Sequence, residues 1–217
     1  MHSGCFNIHC RRCPRLADFL SEVRLTHPDY HARPVPPFGD YNARLLVVGL
    51  APGLHGANAS GRPFTGDHAG ILLYRTLHKY GFASAVLSQA LDDGLQLYDC
   101  RITNAVKCVP PQNKPTSSEI VTCNRYLRAE LQQLPAKALV LALGHIAHDS
   151  VLRALGVNPK LFRFRHGASH ALAKGISLLD SYHCSRYNTQ TRRLTVAMFE
   201  TVFDNARKQL DEMGRPG

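Results

Sequence analysis

The sequence predicts an α/β fold in which a mostly parallel sheet of four strands is covered by helices on both faces. Short apolar runs alternate along the chain with stretches of helical spacing. Each unusual loop comes directly after one of the apolar runs. Alternating strands and helices are typical of a parallel sheet, because each helix returns the chain to the start of the next strand.

Four strands and five helices are expected from local patterns. The strands span residues 44–50, 99–106, 137–144 and 174–182, and the helices span residues 16–23, 69–80, 117–134, 145–155 and 195–213. Gly81 suits the C-cap of the second helix, and Ser117 suits the start of the third. The three prolines within residues 108–115 predict a loop before that third helix.

Composition bounds the class of protein. A chain of 217 residues is long enough for one domain with a full core, and we expect a single domain over residues 1–217. The formal net charge of +10 favours nucleic acid as the partner, although a basic surface can also serve solubility alone. No apolar run approaches the roughly 18 residues that span a bilayer. The N-terminus lacks a signal-type apolar segment, so we expect a cytoplasmic monomer without membrane attachment.

Residues 49–67, GLAPGLHGANASGRPFTGD, form a glycine-rich loop directly after the first predicted strand. A loop in this position usually holds a phosphate, but this one lacks the Lys-Ser/Thr of a P-loop and the spacing of a dinucleotide fingerprint. In such sheets ligands bind beyond the carboxyl ends of the strands. This loop, Asn104 at the end of the second strand and residues 181–195 after the fourth are therefore expected at one edge.

The cysteines suggest a metal site. Cys10 and Cys13 form a C-x2-C pair, and Cys108 and Cys123 flank the proline-rich loop. Four thiolates suit either zinc or a [4Fe-4S] cluster, and spacing does not choose between them. The alternative is four unrelated thiols, because the second pair lacks a tight repeat. Of the cysteines left over, Cys100 lies within a strand and is expected to be a small core residue.

Four segments together resemble the uracil-DNA glycosylase superfamily, specifically its family 5, the iron–sulfur-carrying type related to family 4. They are HCRRCPRL (residues 9–16), the glycine-rich loop, ITNAVKCVPPQNKP (residues 102–115) and SYHCSRYNTQTRRLT (residues 181–195). The family 4 loop carries Glu after its first glycine, whereas Leu50 stands here, and this apolar residue points to family 5.

The resemblance implies a three-layer α/β/α domain that removes a damaged base from DNA. It also implies a structural [4Fe-4S] cluster on Cys10, Cys13, Cys108 and Cys123, so that residues 1–43 form a cluster-binding and helical segment packed on the rest. Family 5 members accept uracil and deaminated purines such as hypoxanthine, so the resemblance implies a broad pocket. The expected activity is that of a monofunctional glycosylase that leaves an abasic site.

Several site residues follow from the resemblance and from their chemistry. A glycosylase flips its target nucleotide into a pocket. The resemblance places Phe64 on the flipped base, where a plain core position is the alternative, and matches His183 to the family histidine that would stabilise the leaving base. Asn104 offers the donor and the acceptor that the imide edge of uracil requires, although a strand-end Asn also caps turns. Asp67 would orient water or balance charge on the sugar, cap the next helix, or do both.

Two further groups are expected to hold the nucleotide and its strand. The main chain of the glycine-rich loop would approach the sugar and its phosphates, and the residues concerned are Gly49, Leu50, Ala51, Pro52 and Gly53. The segment after His183 mixes arginines with an aromatic and would contact DNA, or it is only a solvated basic loop. Its candidate contacts are Arg186, Tyr187, Asn188, Arg192 and Arg193.

The same segment departs from the family pattern. The family commonly has His-Pro and Thr-Gly-Arg-Leu-Thr, where this chain has Cys184 after His183 and Arg192 in place of the glycine. Ala59 stands where Arg is common. These departures keep open an iron–sulfur-carrying nucleic-acid-binding module without useful catalysis. A zinc-bound nucleotide-binding protein is a third interpretation.

Overall fold

The computed structural model describes residues 6–214, and its core is one sheet of six strands in the order β1-β3-β2-β4-β6-β5. The strands are β1 (Phe38–Gly39), β2 (Leu45–Gly49), β3 (Cys100–Asn104), β4 (Leu139–Leu143), β5 (Ser169–Ala171) and β6 (Ser177–Ser181). The four central strands run parallel, and β1 and β5 pair antiparallel at the two edges. The parallel four-stranded sheet is therefore confirmed. The edge strands escaped prediction because two or three residues leave almost no alternation to detect.

Seven helices accompany the sheet within the described part of the chain. They are α1 (Pro14–Thr26), α2 (Ala57–Ser60), α3 (His68–Lys79), α4 (Ser117–Gln132), α5 (His145–Ala154), α6 (Arg186–Gln190) and α7 (Val196–Glu212). The five expected helices are all present. The other two, α2 and α6, are short and lie inside segments that were expected to be loops.

Alternation along the central strands divides the core between two faces of the sheet. In β2, Leu45 and Val47 pack with α3 and α7, whereas Leu46 and Val48 pack with α4 and α5. All four side chains are fully buried, as is typical of a parallel sheet covered on both sides. The expected three-layer α/β/α arrangement is confirmed.

The N-terminal segment packs beside the loop that follows β3. Leu16 and Leu20 of α1 lie in a separate apolar cluster with Val106 and Tyr126. Next to this cluster the Arg15 guanidinium donates to both carboxylate oxygens of Glu119 at the start of α4, at 2.8 and 2.7 Å. Glu119 also closes a capping box with Thr116, which fixes where α4 begins.

The expectation of one domain over residues 1–217 stays a prediction, since residues 1–5 and 215–217 lie outside the described range. Cys5 falls in that undescribed part. Among the described helices, none has the length and apolar character needed to cross a bilayer.

Candidate functional site

A cavity of about 600 Å³ opens at the carboxyl ends of β2, β4 and β6. Its volume lies within the range of pockets that bind small molecules. Most of the walls come from four parts of the chain: residues 50–53 after β2, residues 67–69 at the start of α3, residues 143–147 around the start of α5, and residues between 182 and 193 after β6. The loops that sequence reasoning placed at one edge therefore do meet there.

Gly49, at the end of β2, lies against two expected site residues, Phe64 and Asn104. A Cβ atom at this position would be 2.5 Å from Cζ of Phe64 and would also collide with the side-chain oxygen of Asn104. The Phe64 ring stacks on the imidazole of His183, with centroids 5.9 Å apart and planes 27° apart. Only glycine allows the phenyl ring and the amide to come this close to the strand end.

Phe64 and Asn104 are both nearly inaccessible to solvent, at 5% and 4% exposure. Neither lines the cavity itself, but Phe64 contacts His183, which does. Phe64 has a φ of +56°, a left-handed conformation that bulky residues rarely adopt. Strain of this kind is concentrated at ligand sites. Hydrogen bonds among the described residues leave the side-chain amide of Asn104 without a partner, so it is available to a ligand.

Asp67 is the N-cap of α3 and also faces the cavity. Its Oδ1 accepts a hydrogen bond from the backbone N–H of Gly70 at 2.8 Å, which confirms the capping interpretation. A Cβ at Gly56 would lie 2.8 Å from its Oδ2, so the glycine makes room for the carboxylate. Burial raises the pKa of Asp67 by more than the backbone N–H groups of Gly70 and Ala69 lower it.

His183 follows β6 and lines the cavity. Burial lowers the pKa of its imidazole to about 4, so the ring is neutral at neutral pH. The side-chain amide of Asn188 donates to the His183 carbonyl at 2.8 Å, which fixes the backbone that carries the ring.

The expected DNA-contact residues divide into two groups. Arg186 and Asn188 of α6, together with Arg193, line the cavity, and the Arg193 guanidinium lies 4.8 Å from the centre of the Tyr182 ring. Tyr187 is 70% exposed and Arg192 points to solvent, so neither contributes to the walls.

Sequence reasoning missed one wall, which is made of Tyr182, Phe164 and His145. The Phe164 ring lies 6.1 Å from that of Tyr182 and 5.9 Å from that of His145, measured between centroids. His145 lies two residues after the end of β4, so the rule that selects strand ends would have found it. Phe164 belongs to an irregular segment and carried no comparable signal. Asn113, from the proline-rich loop, also lines the cavity without having been predicted.

The four expected metal-binding cysteines surround a second, much smaller cavity. Cys10, Cys13, Cys108 and Cys123 all line a space of about 20 Å³ between α1, α4 and the loop after β3. No three of these sulfur atoms lie within 4.8 Å of one another among the described residues; the one group that meets this criterion is His148, His170 and Asp180. Sulfur ligands of a single tetrahedral zinc ion are separated by only about 3.8 Å, given Zn–S bonds of about 2.3 Å.

The remaining described cysteines are core residues. Cys100 and Cys184 are both fully buried, which confirms the core position expected for Cys100. Burial raises the pKa of the Cys184 thiol far above its usual value, so this thiol is protonated and unreactive.

Comparison with known proteins assigns the class. A family model described as the uracil DNA glycosylase superfamily matches residues 36–207. The chain belongs to this superfamily, in agreement with its fold and with the cavity at the carboxyl ends of the strands.

Individual relatives identify the branch. A type-5 uracil-DNA glycosylase of Thermus thermophilus is 48% identical over 204 residues, which cover 92% of this chain and 93% of the relative. A type-5 enzyme of Pyrobaculum aerophilum is 42% identical over 203 residues, covering 92% and 88%. A type-4 uracil-DNA glycosylase of Sulfurisphaera tokodaii is 28% identical over 203 residues, covering 90% and 79%. Within the superfamily the chain is a member of the type-5 family, which confirms the resemblance.

Proposed function

We propose that this protein removes uracil from DNA by hydrolysing the N-glycosidic bond, which leaves an abasic site. The observation that carries the proposal is that Phe64 and Asn104 meet at Gly49 and that Phe64 stacks on His183, which lines a cavity of about 600 Å³. In the reaction, the water oxygen forms a bond to the sugar carbon, the N-glycosidic bond breaks and its electrons leave with the base, and the proton that the water loses finally neutralises the base anion. Type-5 relatives carry this activity in their names.

His183 is proposed to stabilise the departing base. With its pKa lowered to about 4, the imidazole is neutral at neutral pH and can donate a hydrogen bond to the base without transferring its proton. Preorganised donors of this kind stabilise charge as it develops in the transition state. The base therefore leaves as an anion held by His183.

Asp67 is proposed to act on the other side of the broken bond. Oδ1 is engaged by Gly70, while Oδ2 remains near the glycines of the loop. A carboxylate there can orient the attacking water and balance the positive charge that develops on the sugar. The main chain of residues 49–53 is proposed to support the same nucleotide.

Binding of the base requires the His183 ring to move. The His183 ring covers the face of Phe64 on which the base is proposed to stack, with centroids 5.9 Å apart, so the imidazole has to move to the edge of the base, where it donates its hydrogen bond. The amide of Asn104 is proposed to read the imide edge of uracil. Hypoxanthine is proposed as a further substrate, since the apolar Leu50 at the wall adds no fixed donor or charge against a purine.

We further propose that Cys10, Cys13, Cys108 and Cys123 hold a [4Fe-4S] cluster. Soft sulfur donors around one cavity fit the chemistry, and no three of these sulfur atoms are as close to one another as the ligands of a single zinc ion. The cluster would serve as a structural link between α1, α4 and the loop after β3, and its binding energy would add to folding. Equal amounts of iron and sulfide, about four per chain, would support the cluster, whereas bound zinc in a colourless protein would contradict it.

The proposed partner is DNA that contains a damaged base, bound by a monomer. The net charge of +10 and the position of Arg186 and Arg193 on the cavity wall support this partner. A reducing cytoplasm is the proposed compartment, since the described cysteines form no disulfide with one another.

The test uses labelled duplexes with uracil opposite guanine, uracil opposite adenine, or hypoxanthine opposite thymine. After incubation, alkali cleaves any abasic sites and the fragments are resolved. Cleavage at uracil that is lost in His183→Ala, with the fold retained, is the expected result. Binding without base release by iron-replete, folded protein would instead favour the nucleic-acid-binding module.

A further inference from the structure

The segment between α5 and β5 presents a regular pattern of aromatic and basic side chains. Residues 162–165 read Phe-Arg-Phe-Arg, with Phe162 and Phe164 half-buried and Arg163 and Arg165 exposed. This alternation indicates an extended backbone whose two arginines point away from the two phenyl rings. Because Phe164 lines the cavity, the two arginines flank a residue of the cavity wall.

The segment is held in place from below by a buried network. His148 is hydrogen-bonded through Nδ1 to Asp180 at 2.7 Å and through Nε2 to the carbonyl of Phe162 at 3.0 Å. The backbone N–H of Arg165 donates to the other oxygen of Asp180 at 3.4 Å. The arginines therefore stand on a fixed backbone, which limits the conformational entropy lost on binding.

A groove of about 770 Å³ runs along the outer side of this segment. Its lining residues, from 161 to 170, include Arg163, Arg165 and His170 but no acidic residue. Among the described residues, neither of the two guanidinium groups has a carboxylate partner. Arg15, Arg44 and Arg62, in contrast, each form an ion pair. The groove is therefore complementary to a polyanion.

The groove is continuous with the cavity wall and with a predicted DNA contact. The wall runs from Phe164 to Tyr182, and Arg193 lies over the Tyr182 ring at 4.8 Å. Arg193 is thus connected through Tyr182 and Phe164 to the segment that carries Arg163 and Arg165.

We propose that Arg163 and Arg165 bind two backbone phosphates of the duplex beside the flipped nucleotide, so that the strand lies in the groove along residues 161–170. The inference rests on the proposed function. It adds a second phosphate-binding segment, in a part of the chain that sequence reasoning did not connect with DNA.

The test measures binding of each variant to a duplex that carries a stable abasic-site analogue, by fluorescence anisotropy between 50 and 200 mM salt. Arg163→Ala/Arg165→Ala removes both proposed contacts. Arg128→Ala/Arg153→Ala is the matched control, because it removes two exposed arginines from α4 and the last turn of α5. Arg163→Lys/Arg165→Lys keeps the charge.

Each phosphate contact contributes about 0.9 to the slope of log affinity against log salt. Loss of two contacts should lower the slope by about 1.8, so the ratio of variant to wild-type Kd should fall about 12-fold between 50 and 200 mM salt. The control pair should keep the wild-type slope, and the lysine pair should retain most of it.

An unchanged slope in the double-alanine variant, or the same loss in the control pair, would overturn the inference. Wild-type release of uracil with either of those results would leave the proposed function standing. A folded wild-type protein that binds the duplex but releases no base would refute the proposed function alone, and the slopes would still report on the two arginines. If the double-alanine variant binds single-stranded DNA as well as the wild type does but binds the duplex more weakly, the result would support contact of the two arginines with the duplex.

Discussion

Asp67→Asn separates the two roles that the structure gives to one carboxylate. In this protein the backbone N–H of Gly70 donates to Asp67 Oδ1 at 2.8 Å, and the side-chain oxygen of an Asn can accept the same hydrogen bond. Asn and Asp are about equally good N-caps. The substitution therefore removes the charge and keeps the cap. Asp67→Ala removes both.

The expected effects on stability and on rate differ by orders of magnitude. Loss of a negative charge at the start of α3 costs about 0.3–1 kcal/mol, and relief of the burial penalty that raises the Asp67 pKa offsets this cost. We expect Asp67→Asn to change the free energy of unfolding by less than about 1 kcal/mol, and Asp67→Ala to lower it by about 1 kcal/mol. Base release should fall by about 10²–10⁴-fold in both, as is usual for loss of a positioned acid–base group.

The pH dependence follows from the same carboxylate. Because its pKa is raised in the folded state, Asp67 stays protonated to a higher pH than an exposed aspartate, and the rate should fall as the pH drops through that raised value. For stability the sign is opposite. The contribution of Asp67 to the free energy of unfolding is fully present below the unfolded pKa of about 3.9 and is lost as the pH rises through the raised folded pKa. At neutral pH the ionised carboxylate is thus mildly destabilising.

Single-turnover release of uracil and urea unfolding measure the two effects on the same samples. A wild-type rate in Asp67→Asn would refute the proposed chemical role. A loss of rate that merely tracks a loss of stability across both variants would show that capping alone explains the residue.

Three further substitutions test the packing around the site. Gly49→Ala places a Cβ 2.5 Å from the Phe64 ring, so it should lower the free energy of unfolding by about 1–3 kcal/mol and also lower the rate of base release. A urea midpoint equal to that of the wild type would contradict this. Arg192→Gly relieves a residue at φ +56° and should raise stability by up to about 1 kcal/mol, seen as a higher urea midpoint; a lower midpoint would contradict the strain. Asp180→Asn breaks the buried pair with His148 and should cost about 3–5 kcal/mol. Burial lowers the pKa of His148, but Asp180 raises it by more. The loss of stability in Asp180→Asn should therefore be largest below pH of about 6.5 and shrink as the pH rises. A loss of stability that grows with pH would exclude a charged pair.

The sequence was sufficient to predict the edge of the sheet at which the site lies. Gly49, Asn104 and His183 each end or follow a parallel strand, and this position alone brings them together. Asp67 was predictable in both roles because an acid directly before a helical pattern is a strong capping signal. Local patterns of this kind survive without knowledge of the tertiary structure.

Phe164 shows why the rest was not predictable. It enters the cavity wall from a segment without regular structure. That segment is positioned by His148 and Asp180, which lie 16 residues before and 16 residues after Phe164 in the sequence. A buried ion pair between distant residues has no signature in the sequence around Phe164. The Arg163 and Arg165 side chains were missed for the same reason.

The two departures from the family pattern after β6 have different physical consequences. Cys184 is fully buried and joins the core shared by α3 and α7, so packing holds the chain next to His183 without the rigid proline ring. Arg192 takes the left-handed conformation that glycine adopts freely, so the turn after α6 is kept at some cost in strain. With the turn kept, Arg193 still reaches Tyr182, and Asn188 still binds the His183 carbonyl. The position of the imidazole therefore depends on side-chain packing against Phe64 and on one amide hydrogen bond from Asn188.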